Sequence, residues 1–301
     1  MKRVLPVFFL LSICVFAQAP PSKRAHITGI DHVAFYTTDA DAVRNLYGNI
    51  LGLVVTTSME SGEVLRFIVG SQWVGYLPAP DSSATSRLDH VAFKTDDIET
   101  LRDRLARAGL KVPQLFDTRP DGSRSFLVQD PEGNRIEFVQ SPKFDRPAGT
   151  WPVPPVSHRI IHAGFTVRDR TTEDRFYKDL LGFHLYWQGG PQPERTDWVA
   201  MQVPDGTDWV EYMLNQPDHL DLHRNGVMDH VSLGVSDMKQ AQAMLEAHGW
   251  KSSQAEHMQM GKDGKWQLNL YDPDYTRIEL MEFRPAQKPC CSEFQGPHPS
   301  D

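Results

Sequence analysis

A short apolar strand carrying a histidine recurs four times along this chain, and that repetition limits the fold more than any other feature. The copies are Ile30-Asp31-His32-Val33-Ala34-Phe35, Leu88-Asp89-His90-Val91-Ala92-Phe93, Ile160-Ile161-His162-Ala163-Gly164-Phe165 and Met228-Asp229-His230-Val231-Ser232-Leu233. A helical pattern follows each. In the second copy Ile98, Leu101 and Leu105 share a face before Gly109; in the fourth, Met238, Ala241 and Leu245 precede Gly249. In the third, Phe176, Tyr177, Leu180 and Leu181 precede Gly182; the first has Val43, Leu46, Tyr47 and Ile50 before Gly52. Apolar or alternating stretches broken by turn signals such as Asp121-Gly122, Asp130-Pro131-Glu132-Gly133 and Asp205-Gly206 come next. The unit is therefore a strand, a helix and about three strands, made four times.

The units group in pairs. Residues 142–158, with Pro142, Pro147, Pro152, Pro154 and Pro155, have the composition of a linker. On either side the halves answer each other. Gln72-Trp73-Val74-Gly75-Tyr76-Leu77 matches Asp208-Trp209-Val210-Glu211-Tyr212-Met213, and Asp130-Pro131-Glu132-Gly133-Asn134-Arg135-Ile136-Glu137 matches Asp272-Pro273-Asp274-Tyr275-Thr276-Arg277-Ile278-Glu279. A chain of 301 residues suits about two domains, here 27–141 and 159–284, followed by a polar tail over 285–301.

Lys2 and Arg3 precede an apolar run from Val4 to Phe16, which predicts a signal peptide over 1–17 and a periplasmic or secreted mature protein. The run is too short for a membrane span, so no membrane association is expected after cleavage. Thirty-one basic against 39 acidic residues give a net charge of −8, which excludes an overall basic field for nucleic acid. Cleavage would leave only Cys290 and Cys291, neighbours that pair with each other only under strain, and they are given no catalytic role.

Four histidines at equivalent places are not explained by independent core packing. Carboxylates recur as well: Glu211 between Val210 and Tyr212, Glu279 between Ile278 and Leu280, and Glu137 between Ile136 and Phe138. A carboxylate facing the interior of a strand must be paired, coordinated or protonated. His162 to Glu211 spans 49 residues, as does His230 to Glu279, so each late module offers one imidazole and one carboxylate. Together His162, Glu211, His230 and Glu279 form a donor set for one divalent ion (Zn, Ni, Mn, Co or Fe) with positions left for water or substrate. The matching first-half set is His32, Gly75, His90 and Glu137, a second site with two histidines and one carboxylate, which suits non-haem iron or marks a decayed site.

The four modules, the strand histidines, the Asp-Pro turn and the terminal Ile-Glu resemble the vicinal oxygen chelate (VOC) superfamily, which includes glyoxalase I, extradiol dioxygenases, methylmalonyl-CoA epimerase and fosfomycin-resistance proteins. The resemblance covers residues 27–284 and implies an α+β fold: four βαβββ modules in two tandem glyoxalase-like (VOC) domains, each curved into a cup around a metal. It also implies a small-molecule substrate that chelates the metal through neighbouring oxygens, and a His/Glu/His/Glu ligand set like that of glyoxalase I-type lyases. A metal-dependent lyase, isomerase or epimerase stabilising an enediolate-type intermediate is the leading expectation, with Glu279 or Glu211 as catalytic base, Glu279 favoured by position. The alternatives are an extradiol-type non-haem iron dioxygenase and a non-catalytic binding protein. Asn269 stands where extradiol enzymes carry a tyrosine, and Tyr275 replaces the usual turn glycine. Glyoxalase I itself is not expected of an exported chain, because glutathione thiohemiacetals belong to the cytosol.

Overall fold

The computed structural model describes residues 24–58, 64–80, 86–142 and 153–301. The proposed signal peptide and most of the proline-rich linker lie outside the described residues. The first half contains β1 (Ile27–Thr37), α1 (Ala40–Arg44, continuing as a wider π-type helix over Asn45–Ile50), β2 (Val54–Ser58), β3 (Val64–Val69) and β4 (Gln72–Pro78). β5 (Leu88–Thr95), α2 (Ile98–Arg107), β6 (Asp117–Thr118), β7 (Arg124–Gln129) and β8 (Arg135–Gln140) complete it. The second half repeats the order with β9 (Arg159–Thr166), α3 (Arg170–Asp174, widening over Arg175–Leu180), β10 (His184–Gly189), β11 (Trp198–Gln202) and β12 (Trp209–Met213). It continues with α4 (Leu222–Met228), β13 (His230–Val235), α5 (Met238–Ala247), β14 (Met258–Met260), β15 (Trp266–Tyr271) and β16 (Arg277–Glu282).

Each module helix starts the same way. Asp39, Asp97, Asp169 and Asp237 all stand seven residues after a strand histidine, and each accepts a backbone N–H from the first turn as N-cap. A glycine with positive φ ends each helix: Gly52, Gly109, Gly182 and Gly249. The expected helices over Val43–Ile50 and Phe176–Leu181 form, but both widen midway. The buried side chains there, Val43, Tyr47 and Leu51, and their counterparts Glu173, Tyr177 and Leu181, fall every four residues. A regular turn of 3.6 residues would rotate such a series off the sheet, and the wider turns keep it facing inward.

The modules pair within each half. One eight-stranded sheet has the order β2-β3-β4-β1-β5-β8-β7-β6, and the other β10-β11-β12-β9-β13-β16-β15-β14. In each, the two histidine strands lie side by side and antiparallel (β1 with β5, β9 with β13), flanked by parallel β4 and β8 or β12 and β16. Strand alternation sends His32, Ala34, His90 and Glu137 to the concave face and Val33, Phe35, Val91 and Phe138 to the helix-covered face. The helix-covered faces of the two sheets meet: Phe93 of the first half packs edge-on to Phe183 of the second, centroids 5.3 Å apart. The cups therefore open away from each other.

The Asp-Pro turns lock the halves together. Asp272 accepts from Tyr76 Oη at 2.9 Å, while Asp274 takes Thr37 Oγ1 at 2.8 Å, Thr38 N at 2.7 Å and the Arg87 guanidinium at 3.2 Å. The other turn does likewise: Asp130 accepts from Tyr177 Oη at 3.1 Å, and Glu132 takes Arg168 N and Asp169 N. Removing a tyrosine hydroxyl here leaves a buried carboxylate short of a donor, a cost of about 1–3 kcal/mol. The fourth-module turn forms despite lacking a glycine, because Tyr275 takes φ +64° where Gly133 takes +91°.

Candidate metal centres

In the first cup three donor atoms converge. His32 Nε2 lies 2.8 Å from His90 Nε2 and 3.0 Å from Glu137 Oε2, and His90 Nε2 lies 3.3 Å from that oxygen. The register explains this: His90 is paired with Ala34, two residues beyond His32, and Glu137 with Ala92. In the second cup His162 Nε2 lies 3.1 Å from His230 Nε2 and 3.2 Å from Glu279 Oε2. Glu211 Oε2 stands 3.3 Å from His230 Nε2 and 3.8 Å from His162 Nε2, so all four second-half residues singled out in the sequence face one point. Gly164 allows that approach, since a Cβ there would sit 2.0 Å from the His230 ring.

Both triads fit a metal ion. Among the described residues the buried Oε2 atoms of Glu137 and Glu279 have no hydrogen-bond partner, though Glu137 Oε2 faces two imidazole nitrogens and Glu279 Oε2 one at close range. A cation would satisfy lone pairs that converge on one point in this way. His32, His90 and Glu137, and likewise His162, His230 and Glu279, each offer one ligand atom within 4.8 Å of the others.

What surrounds the triads differs. In the first cup Asp31 Oδ2 bonds His32 Nδ1 at 2.7 Å and Asp89 Oδ2 bonds His90 Nδ1 at 2.6 Å, orienting both rings. Asp89 also takes Tyr36 Oη and Arg135, and Arg119 holds Glu137 Oε1 at 2.8 Å. Burial opposes charge on His90, but Asp89 and Glu137 raise its affinity for a proton; burial likewise opposes the Glu137 carboxylate, yet His32 and His90 hold it well below the usual range. Trp73 lies flat on His32, centroids 3.7 Å apart, and fills the space a fourth ligand would need: a Cβ on Gly75 would sit 2.6 Å from its ring.

In the second cup Ile161 replaces the orienting aspartate, and His162 Nδ1 has no hydrogen-bond partner among the described residues. Asp229 turns to Ser86 and Thr166 instead, leaving His230 Nδ1 to Met228 O at 2.8 Å. Arg277 Nη2 lies 2.7 Å from His230 Nε2. Burial and Arg277 push His230 down to about 4, whereas burial would raise Glu279 but His162 and Arg277 bring it to about 2.

The cavities differ too. The first, about 580 Å³, is lined by Arg66, Arg119, Arg135 and Tyr36 above the triad. The second, about 280 Å³, has Trp187, Trp198, Trp209, Met260 and Phe294 for walls and Glu211, Glu279 and Arg277 at its polar end. Phe294 belongs to the segment expected to be a polar tail. That segment packs instead: Phe294 meets Tyr186 with centroids 4.8 Å apart, His298 Nδ1 lies 2.6 Å from Tyr186 Oη, and Gln202 bonds Pro297 O. Cys290 and Cys291, neighbours expected to pair only under strain, are disulfide-bonded, with Cys291 at φ +76°. His219 and His223 are exposed, with His223 edge-on to Tyr275.

Sequence reasoning named the side chains that converge in each cup but not their neighbours Trp73, Arg277, Asp31, Asp89 and Phe294. The Asp-His pairs were a visible signal for Asp31 and Asp89. Trp73 and Trp209 stand directly across from His32 and His162 in the parallel pairing, which becomes visible only once β4 and β12 are placed.

Comparison with known proteins places these features. The family model of the glyoxalase/bleomycin resistance protein/dioxygenase superfamily matches residues 29–138 and 159–280. An uncharacterized Bacillus subtilis protein, YwbC, is 23% identical over 124 residues, covering 37% of this chain and 96% of that protein. The Mn(II)-bound glyoxalase from Novosphingobium aromaticivorans superposes with a TM-score of 0.62 at 19% identity, over 86% of this chain and 83% of its own. The 3,4-dihydroxyphenylacetate complex of homoprotocatechuate 2,3-dioxygenase from Brevibacterium fuscum gives a TM-score of 0.64 at 19% identity, over 92% and 86%.

Proposed function

Because this chain belongs to the glyoxalase/bleomycin resistance protein/dioxygenase superfamily, we propose that it is a metal-dependent enzyme of the lyase or isomerase kind, working in its second cup. The carrying observation is the pair of carboxylates Glu211 and Glu279, set with two imidazoles at the polar end of an aromatic-walled cavity. A divalent ion held by His162, Glu211, His230 and Glu279 would supply a Lewis acid for a small substrate with neighbouring oxygens. Glu279, drawn close to His162, serves as ligand. Glu211 stands farther from His162 and its side chain is 13% exposed against 5% for Glu279. We therefore assign the proton transfer between substrate atoms to Glu211, in place of Glu279, which position alone favoured. The Arg277 guanidinium holds developing negative charge at the oxygen end. The indoles of Trp187, Trp198 and Trp209 exclude water and contact the apolar part of the substrate.

One feature favours a second reading, ring-cleaving oxygenase chemistry. In the first cup Gly75 leaves two histidines and one carboxylate as the donor set among the described residues, a set that suits non-haem iron. Metal analysis of the purified protein, then oxygen-uptake assays on catechols after iron(II) reconstitution, separates the readings. Bound metal without oxygen uptake supports the lyase or isomerase reading, and uptake puts the oxygenase first. Failure to bind Mn(II), Zn(II) or Fe(II) supports a ligand-binding protein instead.

Export is part of the proposal. Its support is the charged and then apolar segment over 1–17, together with the Cys290–Cys291 disulfide, since disulfides form in oxidising compartments. Mass spectrometry of extracytoplasmic protein is expected to find an N-terminus near Gln18, and an intact Met1 there would refute it. No helix of the described residues is long and apolar enough to cross a membrane.

A further inference from the structure

The two cups fix their first-strand histidines by different means. A metal-binding imidazole is ordinarily oriented through its other ring nitrogen. Asp31 does this for His32, but Ile161 stands at the matching place beside His162, whose buried Nδ1 has no hydrogen-bond partner among the described residues. What the two imidazoles share is an indole. His32 stacks on Trp73 at 3.7 Å and 13°, and His162 on Trp209 at 4.7 Å and 27°.

Each indole also carries a cation. Arg66 Cζ lies 4.6 Å from the Trp73 centroid, and Lys265 Nζ lies 4.8 Å from that of Trp209. The cations come from unrelated places, Arg66 from β3 in the first module and Lys265 from the turn before β15 in the fourth. Descent from a common module does not account for such a match. Lys265 is wholly buried, donates to Tyr186 Oη at 3.2 Å, and lies over the Tyr186 and Phe294 rings as well, so its head has one place to be. An ammonium over the indole face holds that ring electrostatically, and the ring fixes the plane of the imidazole beneath it.

We propose that Lys265, acting through Trp209, is a positioning residue for His162, taking the part that Asp31 plays for His32. The inference rests on the reading that the second cup holds a metal ion. It is tested in a His90→Ala background, where only the second cup binds, by Mn(II) and Zn(II) affinity in competition with a chromophoric chelator. Lys265→Met is expected to weaken binding by about tenfold or more, the size seen when an orienting partner is lost. Lys265→Arg, which keeps the cation, is expected to restore most of it.

The matched control is Arg66→Met in a His230→Ala background. There Asp31 still holds His32, and the loss is expected to stay under about threefold, below the range for orienting partners. Equal losses from the two substitutions overturn the inference, and so does an unchanged affinity in Lys265→Met. Removing one member of a buried charge set is costly, and Lys265 faces the buried Asp263 carboxylate. Should near-UV circular dichroism show that Lys265→Met does not fold, Trp209→Phe takes its place: weakened affinity supports the inference and unchanged affinity overturns it. If the His90→Ala parent binds neither ion, the metal reading falls and this inference with it.

Discussion

The first cup orients each histidine with a neighbouring carboxylate and covers the fourth ligand position with Trp73. The second lacks both devices, keeps Glu211 in that fourth position, and lines its cavity with indoles and a phenyl ring from outside the repeat. One module plan therefore supports two solutions to the same problem, holding imidazoles still at the base of a curved sheet. The strands fix where donors stand; the residues next to the donors decide what each cup does.

The largest effect that bears on this contrast comes from deleting a ligand. His230→Ala is expected to abolish metal at the second cup and leave the first cup's ion in place, as read by metal content per chain. If His90→Ala instead removes metal and activity while His230→Ala spares both, the assignment of the working cup reverses. Glu211→Gln is expected to come next, lowering turnover by roughly 10²-fold or more with metal content preserved, since the amide carries no proton-accepting charge. A parallel loss of metal would make Glu211 a ligand first. Asp89→Asn is expected to weaken metal binding at the first cup by about 10- to 100-fold and to leave the second untouched. Chelator competition measured separately in His230→Ala and His90→Ala backgrounds checks this.

The smallest effect concerns the junctions between the halves. Glu173 sits where the first half has Val43, and burial, followed by the charges of Asp130 and Glu132, raises its carboxyl from 4.5 to about 9. A raised carboxyl keeps its proton when folded while the unfolded chain gives it up. Its contribution to stability is thus complete below the ordinary carboxyl range and is lost as pH rises towards about 9. Glu173→Gln is expected to flatten the fall in thermal midpoint between neutral pH and pH 9. An unchanged slope would show that this carboxyl is ionised in the native state.

Most of this architecture was legible because it was written four times. The strand histidines, the helix-ending glycines and the Asp-Pro turns recur at fixed offsets, and repetition lifts a weak signal above chance. The histidines and carboxylates that converge in each cup were legible for the same reason, and the fold class follows from the repeated modules. Side-chain contacts made by strand pairing and across the halves were not legible. Trp209 meets His162 only through a parallel pairing of β12 with β9, and Asp272 meets Tyr76 only across the two halves. Phe294 was hidden for a different reason. It lies in a polar stretch with no period, and a single aromatic residue there says nothing about what it will cover. The π-type widening of α1 and α3 shows only as a four-residue spacing of side chains, which an ordinary helix pattern tolerates.

The reciprocal turn contacts, Glu132 with Arg168 N and Asp274 with Thr38 N, have the form of an interface between two copies of one half-length protein. In a homodimer of that kind symmetry would copy every substitution in one cup into the other, so both would have to keep the same chemistry. Joining the copies into one chain removes that bond. Gly75 could lose a ligand while Glu211 kept one, and Ile161 could replace an aspartate while Asp31 stayed. Covalent linkage thus lets one pocket drift or specialise while its twin is held by selection.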